Sequence, residues 1–280
     1  MNPPFPSPLF LGLFDDAAIF PPGDLPLPDA VKAHRERAVS PLAPLLGPFV
    51  CSAARLDALA LAVSDPGWPP LPVSLTVPAP VPGLAVPAAS GPVAIVEVAA
   101  AMTGIDLVAV EGPGLDALPG ALTTYREMPL AEITVPRLAA LRDAGVRLKI
   151  RTGGVRAEAF PAEHDLAAAL WSAARAGCPF KLTAGLHDPV RHRDATTGFE
   201  HHGFLNVLLA TAHAVQGGDI GEVAAALADQ DAHRVAAAIT TIDAPLAQRV
   251  RELFVSFGTC SVSEPVGGLS DLGLLPEELR

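Results

Sequence analysis

Two lysines stand in segments whose polar and apolar residues alternate. Lys149 lies within Arg147–Arg151, and Lys181 lies within Phe180–Thr183. The chain has only these two lysines and Lys32, because most of its basic residues are arginine. An ammonium group in a water-poor interior either has a depressed pKa or needs a carboxylate partner, and lysine catalysis uses both conditions. Lys149 and Lys181 are therefore candidates for covalent chemistry on a carbonyl compound, with structural ion pairs as the alternative.

The spacing of the two lysine segments predicts a β-α-β unit. Apolar residues recur at helical spacing between Leu166 and Ala173, and Gly177 follows as a helix stop. Two parallel strands joined by a helix bury their apolar side beneath that helix. The lysine side chains should then point to the opposite side, which in a closed barrel is the interior.

The same alternation of short apolar runs and helical segments recurs along the chain. Besides the two lysine segments, the predicted strands are Leu9–Phe14, Phe49–Ser52, Pro72–Val77, Asp106–Glu111, Thr123–Met128 and Phe254–Ser261. Besides the helix of the β-α-β unit, the predicted helices are Pro28–Val39, Arg55–Val63, Val93–Met102, Val135–Asp143, Phe204–Val215, Ile220–Ala228 and His233–Ile239.

Eight strands, mostly followed by helices, predict an α/β fold of the (β/α)8 TIM-barrel type. An open doubly wound sheet is the alternative, but no GxGxxG motif follows the first strand. We expect one barrel domain over residues 1–280, with an enlarged helical segment at about 187–252.

The active site of a barrel lies at the carboxyl ends of its strands, which defines the candidate residues. The catalytic candidates are Lys149, Lys181, Asp15, Asp16, Glu111, Glu127 and His187. The candidates for substrate binding are Arg151, Thr183, Gly258, Cys260 and Ser261. A lysine would form the iminium, a carboxylate or His187 would move a proton, and Arg151 or the groups around Gly258 would hold an anionic substituent.

Three short motifs resemble class I deoxyribose-phosphate aldolases. Lys149-Ile-Arg-Thr-Gly153 is similar to their sixth-strand K-x-x-T-G, Phe180-Lys-Leu-Thr-Ala-Gly185 to their seventh-strand F-K-x-x-G-G, and Phe257-Gly-Thr-Cys-Ser261 to their eighth-strand F-G-x-S-S. The resemblance implies a carbon-carbon lyase without a cofactor. In such an enzyme Lys149 would form the Schiff base, and the second lysine, Lys181, would perturb Lys149. On this interpretation the positive charges of Lys181 and Arg151 keep Lys149 unprotonated, although the two lysines could exchange roles.

The chain departs from this family pattern near the expected phosphate site. Ala184 stands in place of a glycine, Cys260 stands in place of a serine, and the segment between the last two strands is longer. These departures bear on the anion site more than on the lysine pair. Phe180–Arg191 together with His202–Asn206 also resembles a group of uncharacterised bacterial proteins, which implies no function.

Histidines offer a second interpretation. His187, His192, His201 and His202 follow the seventh strand, and with a carboxylate they could bind a divalent metal for hydrolysis or lyase chemistry. No spacing matches a zinc motif such as HExxH, so we assign no metal ligand. A third interpretation is a non-catalytic barrel that binds an anionic metabolite.

Composition limits the partners. A formal net charge of −11 argues against nucleic acid as a partner, but a local cluster of Lys149, Arg151 and Lys181 still permits a small anionic or carbonyl-containing metabolite.

The three scattered cysteines suggest a reducing compartment. The start of the chain has no basic segment typical of a signal peptide, and no apolar run is long enough to predict a membrane span. We expect a cytoplasmic protein, and the sequence permits a homo-oligomer.

Overall fold

A computed structural model of the chain describes residues 7–77, 92–116, 118, 122–276 and 279. Within these residues eight parallel strands close into a barrel, each paired with its neighbours in chain order. The barrel strands are β1 (Phe14–Asp16), β2 (Leu46–Ser52), β3 (Leu71–Thr76), β4 (Ile105–Pro113), β5 (Thr123–Glu127), β6 (Val146–Arg151), β7 (Phe180–Thr183) and β10 (Phe254–Thr259). The predicted (β/α)8 barrel is confirmed, and the open-sheet alternative is wrong because β1 pairs with β10.

Helices follow most of the strands and cover the outside of the barrel. They are α1 (Leu27–Ala38), α2 (Leu56–Ala62), α3 (Pro92–Ala100), α4 (Val135–Asp143), α5 (Glu163–Ala176), α6 (Phe204–Val215), α7 (Ile220–Ala228), α8 (Ala232–Thr240), α9 (Ala244–Leu253) and α10 (Ser263–Asp271). The predicted helices are confirmed to within a few residues at their ends. The pattern had not predicted α9 and α10.

The first strand begins later than predicted. The apolar run from Leu9 contains Gly12, which adopts a left-handed φ of 57°. A left-handed residue cannot continue an extended strand, and glycine adopts this conformation without steric cost. The run therefore forms a short 3₁₀ turn, Pro8–Phe10, and only Phe14 starts the strand.

In β6 and β7 the apolar and polar side chains point to opposite faces, as the alternating pattern predicts. Leu148 and Ile150 are fully buried in the apolar layer between barrel and helices, and so is Leu182 on β7. Lys149 and Lys181 are also buried, but their amino groups contact residues of strands across the barrel interior. Apolar burial on the outside of β6 and β7 thus fixes the strand faces and points both lysines inward.

The segment between β7 and β10 carries most of the extra structure. It contains a small antiparallel hairpin, β8 (His192–Arg193) with β9 (Glu200–His201), and then α6 to α9. Phe160, which precedes α5, stacks on His201 of this hairpin with ring centroids 4.4 Å apart. The hairpin is thereby anchored beside the loops that follow β6 and β7. None of the helices in the described part of the chain is long and apolar enough to cross a membrane.

Candidate active site

The interior of the barrel contains a chain of alternating charges instead of the branched apolar residues that usually fill such barrels. At its centre is Glu111 of β4, whose two carboxylate oxygens contact both lysines. Oε2 lies 2.9 Å from Lys149 Nζ, and Oε1 lies 3.0 Å from Lys181 Nζ. Lys149 and Lys181 are direct neighbours across the β6–β7 pairing. Glu111 is therefore the shared partner of two adjacent ammonium groups.

Each lysine has a second carboxylate of its own. Lys181 Nζ lies 2.6 Å from Asp15 Oδ2, and Lys149 Nζ lies 3.2 Å from Glu127 Oε2. Glu127 in turn accepts a hydrogen bond from Arg151 Nε at 3.2 Å. The series therefore runs from Asp15 at the inner end to Arg151 at the outer end, with positive and negative groups in alternation. Both lysines meet the requirement of a buried ammonium for carboxylate partners.

Burial and these charges act in opposite directions on the pKa values. Burial by itself would lower the pKa of Lys181, but the carboxylates of Asp15 and Glu111 outweigh it and raise that pKa. Burial would likewise raise the pKa of Glu111, but the two lysines outweigh it and hold that pKa well below its usual range. Lys181 is therefore a protonated, firmly paired ammonium in the resting protein.

Asp15 differs from Glu111. Burial raises the pKa of Asp15 in spite of the opposing charge of Lys181. Its Oδ2 accepts from Lys181 and from Ser256 Oγ at 2.8 Å, whereas its Oδ1 has no hydrogen-bond partner among the described residues. A Cβ at Gly47 would collide with Oδ1, so a side chain there would displace the carboxylate from this position. Asp15 is therefore more readily protonated than Glu111, which suits a proton donor.

Three further polar residues, to which the sequence analysis assigned no catalytic or binding role, line the barrel interior. Ser74 Oγ donates to Glu111 Oε1 at 2.7 Å, Ser256 binds Asp15, and Tyr125 places its ring 5.3 Å from Lys181 Nζ. Burial raises the pKa of Tyr125. All three occupy inward positions of strands, and strict alternation along β3 is the signal that could have identified Ser74.

Asp16 does not join this group. Successive residues of a strand point to opposite faces, and Asp16 faces α1, where its Oδ2 lies 3.1 Å from His34 Nδ1 and 3.0 Å from Arg37. Its Oδ1 also accepts from the backbone N–H of Ala18. Asp16 therefore fastens β1 to α1, and of the two neighbouring aspartates only Asp15 lies in the barrel interior.

His187 and Cys260 form a second cluster, at the rim of the barrel. His187 Nδ1 lies 2.7 Å from Glu264 Oε2, and Cys260 Sγ lies 3.8 Å from both ring nitrogens of His187. Ser261 Oγ lies 3.0 Å from Ser263 Oγ. Glu264 belongs to α10, which the sequence had not predicted, and this explains why it was not a candidate.

Thr183 and Gly258 face each other where β7 and β10 end. After Thr183 the chain turns sharply through Ala184 and Gly185, whose φ values are 64° and 76°. The position where the resembling family has glycine thus adopts a left-handed backbone, which an alanine occupies at a steric cost. Thr152 Oγ1 donates to the Ala184 carbonyl at 2.7 Å and holds this turn against the end of β6.

The other histidines do not assemble a metal site. His192 lies 3.2 Å from Asp188, His201 stacks on Phe160, and His202 is buried, with Nε2 2.8 Å from the Pro161 carbonyl. Burial lowers the pKa of His202 to about 4. Across residues 7–77, 92–116 and 122–276, no three His, Cys, Asp or Glu side chains converge as metal ligands would. The geometry gives the metal interpretation no support.

No protein-family model, curated protein or solved structure matches this chain. The likeness to aldolases consequently consists of the three strand motifs alone. TIM barrels are commonly enzymes, but they host many unrelated chemistries, so function has to be argued from the site.

Proposed function

We propose that this protein is an aldolase-like carbon-carbon lyase that forms a Schiff base between Lys149 and a small carbonyl compound. The observation that carries the proposal is a lysine amino group held between two carboxylates, two residues before the carboxyl end of β6. Barrel enzymes bind substrates at this end. The motif resemblance in β6, β7 and β10 points the same way.

Lys149 is a better nucleophile than Lys181 on this geometry. Lys181 is almost fully buried, contacts two interior carboxylates and has a raised pKa, so it stays charged. Lys149 stands nearer the open end, since its second partner Glu127 is itself paired with the half-exposed Arg151. A carbonyl compound entering the barrel mouth would meet Lys149 first.

The carboxylates supply the proton transfers that an imine requires. Lys149 must lose a proton before it attacks, and Glu111 and Glu127 lie at hydrogen-bond distance from its amino group to accept it. The carbinolamine must then lose water with the help of an acid, a role that the same carboxylates can take once protonated. Proton removal by these carboxylates would act together with the expected effect of the neighbouring positive charges of Lys181 and Arg151.

Cleavage or formation of the carbon-carbon bond needs a proton moved at the carbon next to the imine. The Glu111 carboxylate bridges both lysines, and Asp15 with its raised pKa lies behind Lys181. These groups form a path along which a proton can be delivered from the interior. Arg151, whose guanidinium is half exposed, is suited to hold an anionic substituent of the substrate.

Borohydride trapping tests the proposal directly. The protein is incubated with a panel of small aldehydes, ketones and keto acids, reduced, and analysed by intact mass and peptide mapping. We expect one reduced adduct on Lys149 in the wild type and none in Lys149→Met. Lys32, which is exposed on α1 beside Glu36, serves as an internal control for non-specific reaction.

The outcomes separate the alternatives. An adduct on Lys181 that persists in Lys149→Met would exchange the roles of the two lysines. Labelling of Lys32 to the same extent as Lys149 would mean that the reaction is non-specific and would overturn the proposal. Absence of any adduct across the panel, with ligand binding retained, would instead favour the non-catalytic barrel.

A further inference from the structure

The rim cluster contains the three parts of an activated thiol. Cys260 supplies the sulfur, the ring nitrogens of His187 lie 3.8 Å from it as a base, and Glu264 Oε2 lies 2.7 Å from His187 Nδ1 as an orienting group. A nucleophile, a base and a third group that orients the base are the recurring arrangement of nucleophilic catalysis. The proposed Schiff-base mechanism uses none of these three contacts.

The contact with Glu264 determines how the imidazole can act. A carboxylate accepts hydrogen bonds, so the proton of neutral His187 belongs on Nδ1. Nε2 then carries a lone pair and can take the thiol proton from Cys260. The resulting imidazolium would be stabilised by Glu264 at 2.7 Å.

Cys260 is also the accessible cysteine of the chain. Cys51 and Cys178 are completely buried in the apolar layers, whereas Cys260 is only partly buried, in the loop that follows β10. Burial raises the pKa of the Cys260 thiol, and the charges of Glu264 and Asp24 add to this. The sulfur is consequently a thiol at neutral pH and needs a base before it can react.

The location connects this thiol to the barrel mouth. Gly258 lies between Asp15 and Thr183 in the strand pairing, and Cys260 follows two residues later, just beyond the end of β10. Gly23, in the loop after β1, closes over Cys260, since a Cβ at Gly23 would lie 2.8 Å from the Cys260 carbonyl oxygen. The sulfur is nevertheless partly exposed, which leaves it open to an electrophile at the mouth.

We propose that Cys260, His187 and Glu264 form a second covalent site, which captures small aldehydes as hemithioacetals. The S–H bond breaks as its proton passes to His187 Nε2, and the sulfur forms a bond to the carbonyl carbon. The carbonyl π electrons move to the oxygen, which takes the proton back from the imidazolium. The step is a reversible addition, so it needs no oxidant and releases no leaving group.

This site is independent of an imine at Lys149. A lysine adduct and a thiol adduct form on different atoms, and each can be removed by its own substitution. Failure of borohydride trapping at Lys149 would leave the thiol site intact. Loss of thiol reactivity would equally leave the lysine chemistry intact.

The first experiment measures the rate at which iodoacetamide alkylates the folded protein, with peptide mapping to assign the adduct. We expect one adduct on Cys260, with the two buried cysteines unlabelled. In His187→Gln the rate should fall by at least about tenfold, because the base is lost. Glu264→Gln should lower the rate less, and His192→Gln, a histidine of the same loop paired with Asp188, should leave it unchanged.

The second experiment uses ¹³C-labelled acetaldehyde and follows the hemithioacetal carbon by NMR. We expect the signal in the wild type and in Lys149→Met, and no signal in Cys260→Ser. His187 and Glu264 are on the surface side of the cluster, so their substitution should not prevent folding, and circular dichroism checks this. Equal alkylation rates in wild type and His187→Gln, or a signal that persists in Cys260→Ser, would overturn the proposal.

Discussion

The inner and outer parts of the barrel interior repeat one arrangement with different consequences. In the inner triad, Lys181 lies between Asp15 and Glu111; in the outer triad, Lys149 lies between Glu111 and Glu127. The two triads share Glu111. Their lysines differ in exposure, since Lys181 is 1% and Lys149 is 5% exposed, and in the partner that completes each triad.

The completing partner decides what each lysine can do. Asp15 is almost fully buried and is supported by Ser256, so the inner triad has little access to water. Glu127 is about one-quarter exposed and bonds to Arg151, whose side chain reaches solvent. In a less polarisable interior the attraction within an ion pair is stronger, and breaking the pair costs more. The inner triad is accordingly suited to hold the fold together and the outer triad to react.

Removing the shared carboxylate should have the largest effect. Glu111→Gln keeps the shape and the contact with Ser74 but leaves two buried ammonium groups with one carboxylate each. We expect a loss of about 5 kcal/mol in the free energy of unfolding, at the upper end for a broken buried pair. Chemical denaturation of the wild type and the variant measures this loss. Glu132→Gln, which removes an exposed pair with Arg137, should cost less than about 1 kcal/mol.

The two lysines should differ in their contribution to stability. Lys181→Met leaves Asp15 buried with only Ser256 as a partner, and we expect a loss of about 3 kcal/mol. Lys149→Met leaves the partly exposed Glu127 with Arg151, and we expect about 1 kcal/mol. Lys32→Met is the surface control, with no measurable change expected. Equal losses at Lys149 and Lys181 would remove the distinction between the two triads.

The pH dependence of stability should identify Glu111. Its pKa in the folded protein lies below the ordinary value of 4.5, so the unfolded chain takes up the proton first as the pH falls. The stability that Glu111 provides is present above pH 4.5 and is lost below it, by up to about 1.4 kcal/mol per pH unit. We therefore expect the free energy of unfolding of the wild type to decline more steeply between pH 5 and 3 than that of Glu111→Gln. Chemical denaturation at each pH measures both. Parallel declines would contradict a lowered pKa.

The smallest effect concerns the turn that ends β7 next to both triads. Ala184 has a φ of 64°, a conformation that costs an alanine about 1 kcal/mol and a glycine almost nothing. Replacing Ala184 with glycine relieves this strain, but the greater conformational freedom of glycine in the unfolded chain offsets part of the stabilisation. We expect Ala184→Gly to stabilise the protein by about 0.5 kcal/mol in thermal unfolding. Ala225→Gly, on the exposed face of α7, should instead destabilise it by about 1 kcal/mol.

Much of the barrel could be predicted from local patterns. The alternation in Arg147–Arg151 and Phe180–Thr183 determines which side chains enter the interior, because apolar residues on the other face must lie beneath a helix. The stop at Gly177 follows from the left-handed conformation that ends α5. The first strand was less predictable, since its apolar run is interrupted at Gly12.

The candidate site was predictable in its members but not in its groupings. Sequence patterns placed Asp15, Asp16 and His187 together as possible acids or bases at strand ends. The structure separates them, with Asp15 inside, Asp16 against α1 and His187 at the rim. A strand of only three residues gives little alternation from which to assign faces, and the position of a loop depends on what packs against it.

By itself, the sequence determined the fold class and the inward direction of Lys149 and Lys181, because strand periodicity and the burial of apolar faces are local constraints repeated along the chain. The tertiary structure alone decided that Glu111 bridges both lysines and that Glu264 orients His187 beside Cys260. These contacts join residues 38 to 77 positions apart in the chain. They depend on barrel closure and strand register, which no single segment encodes.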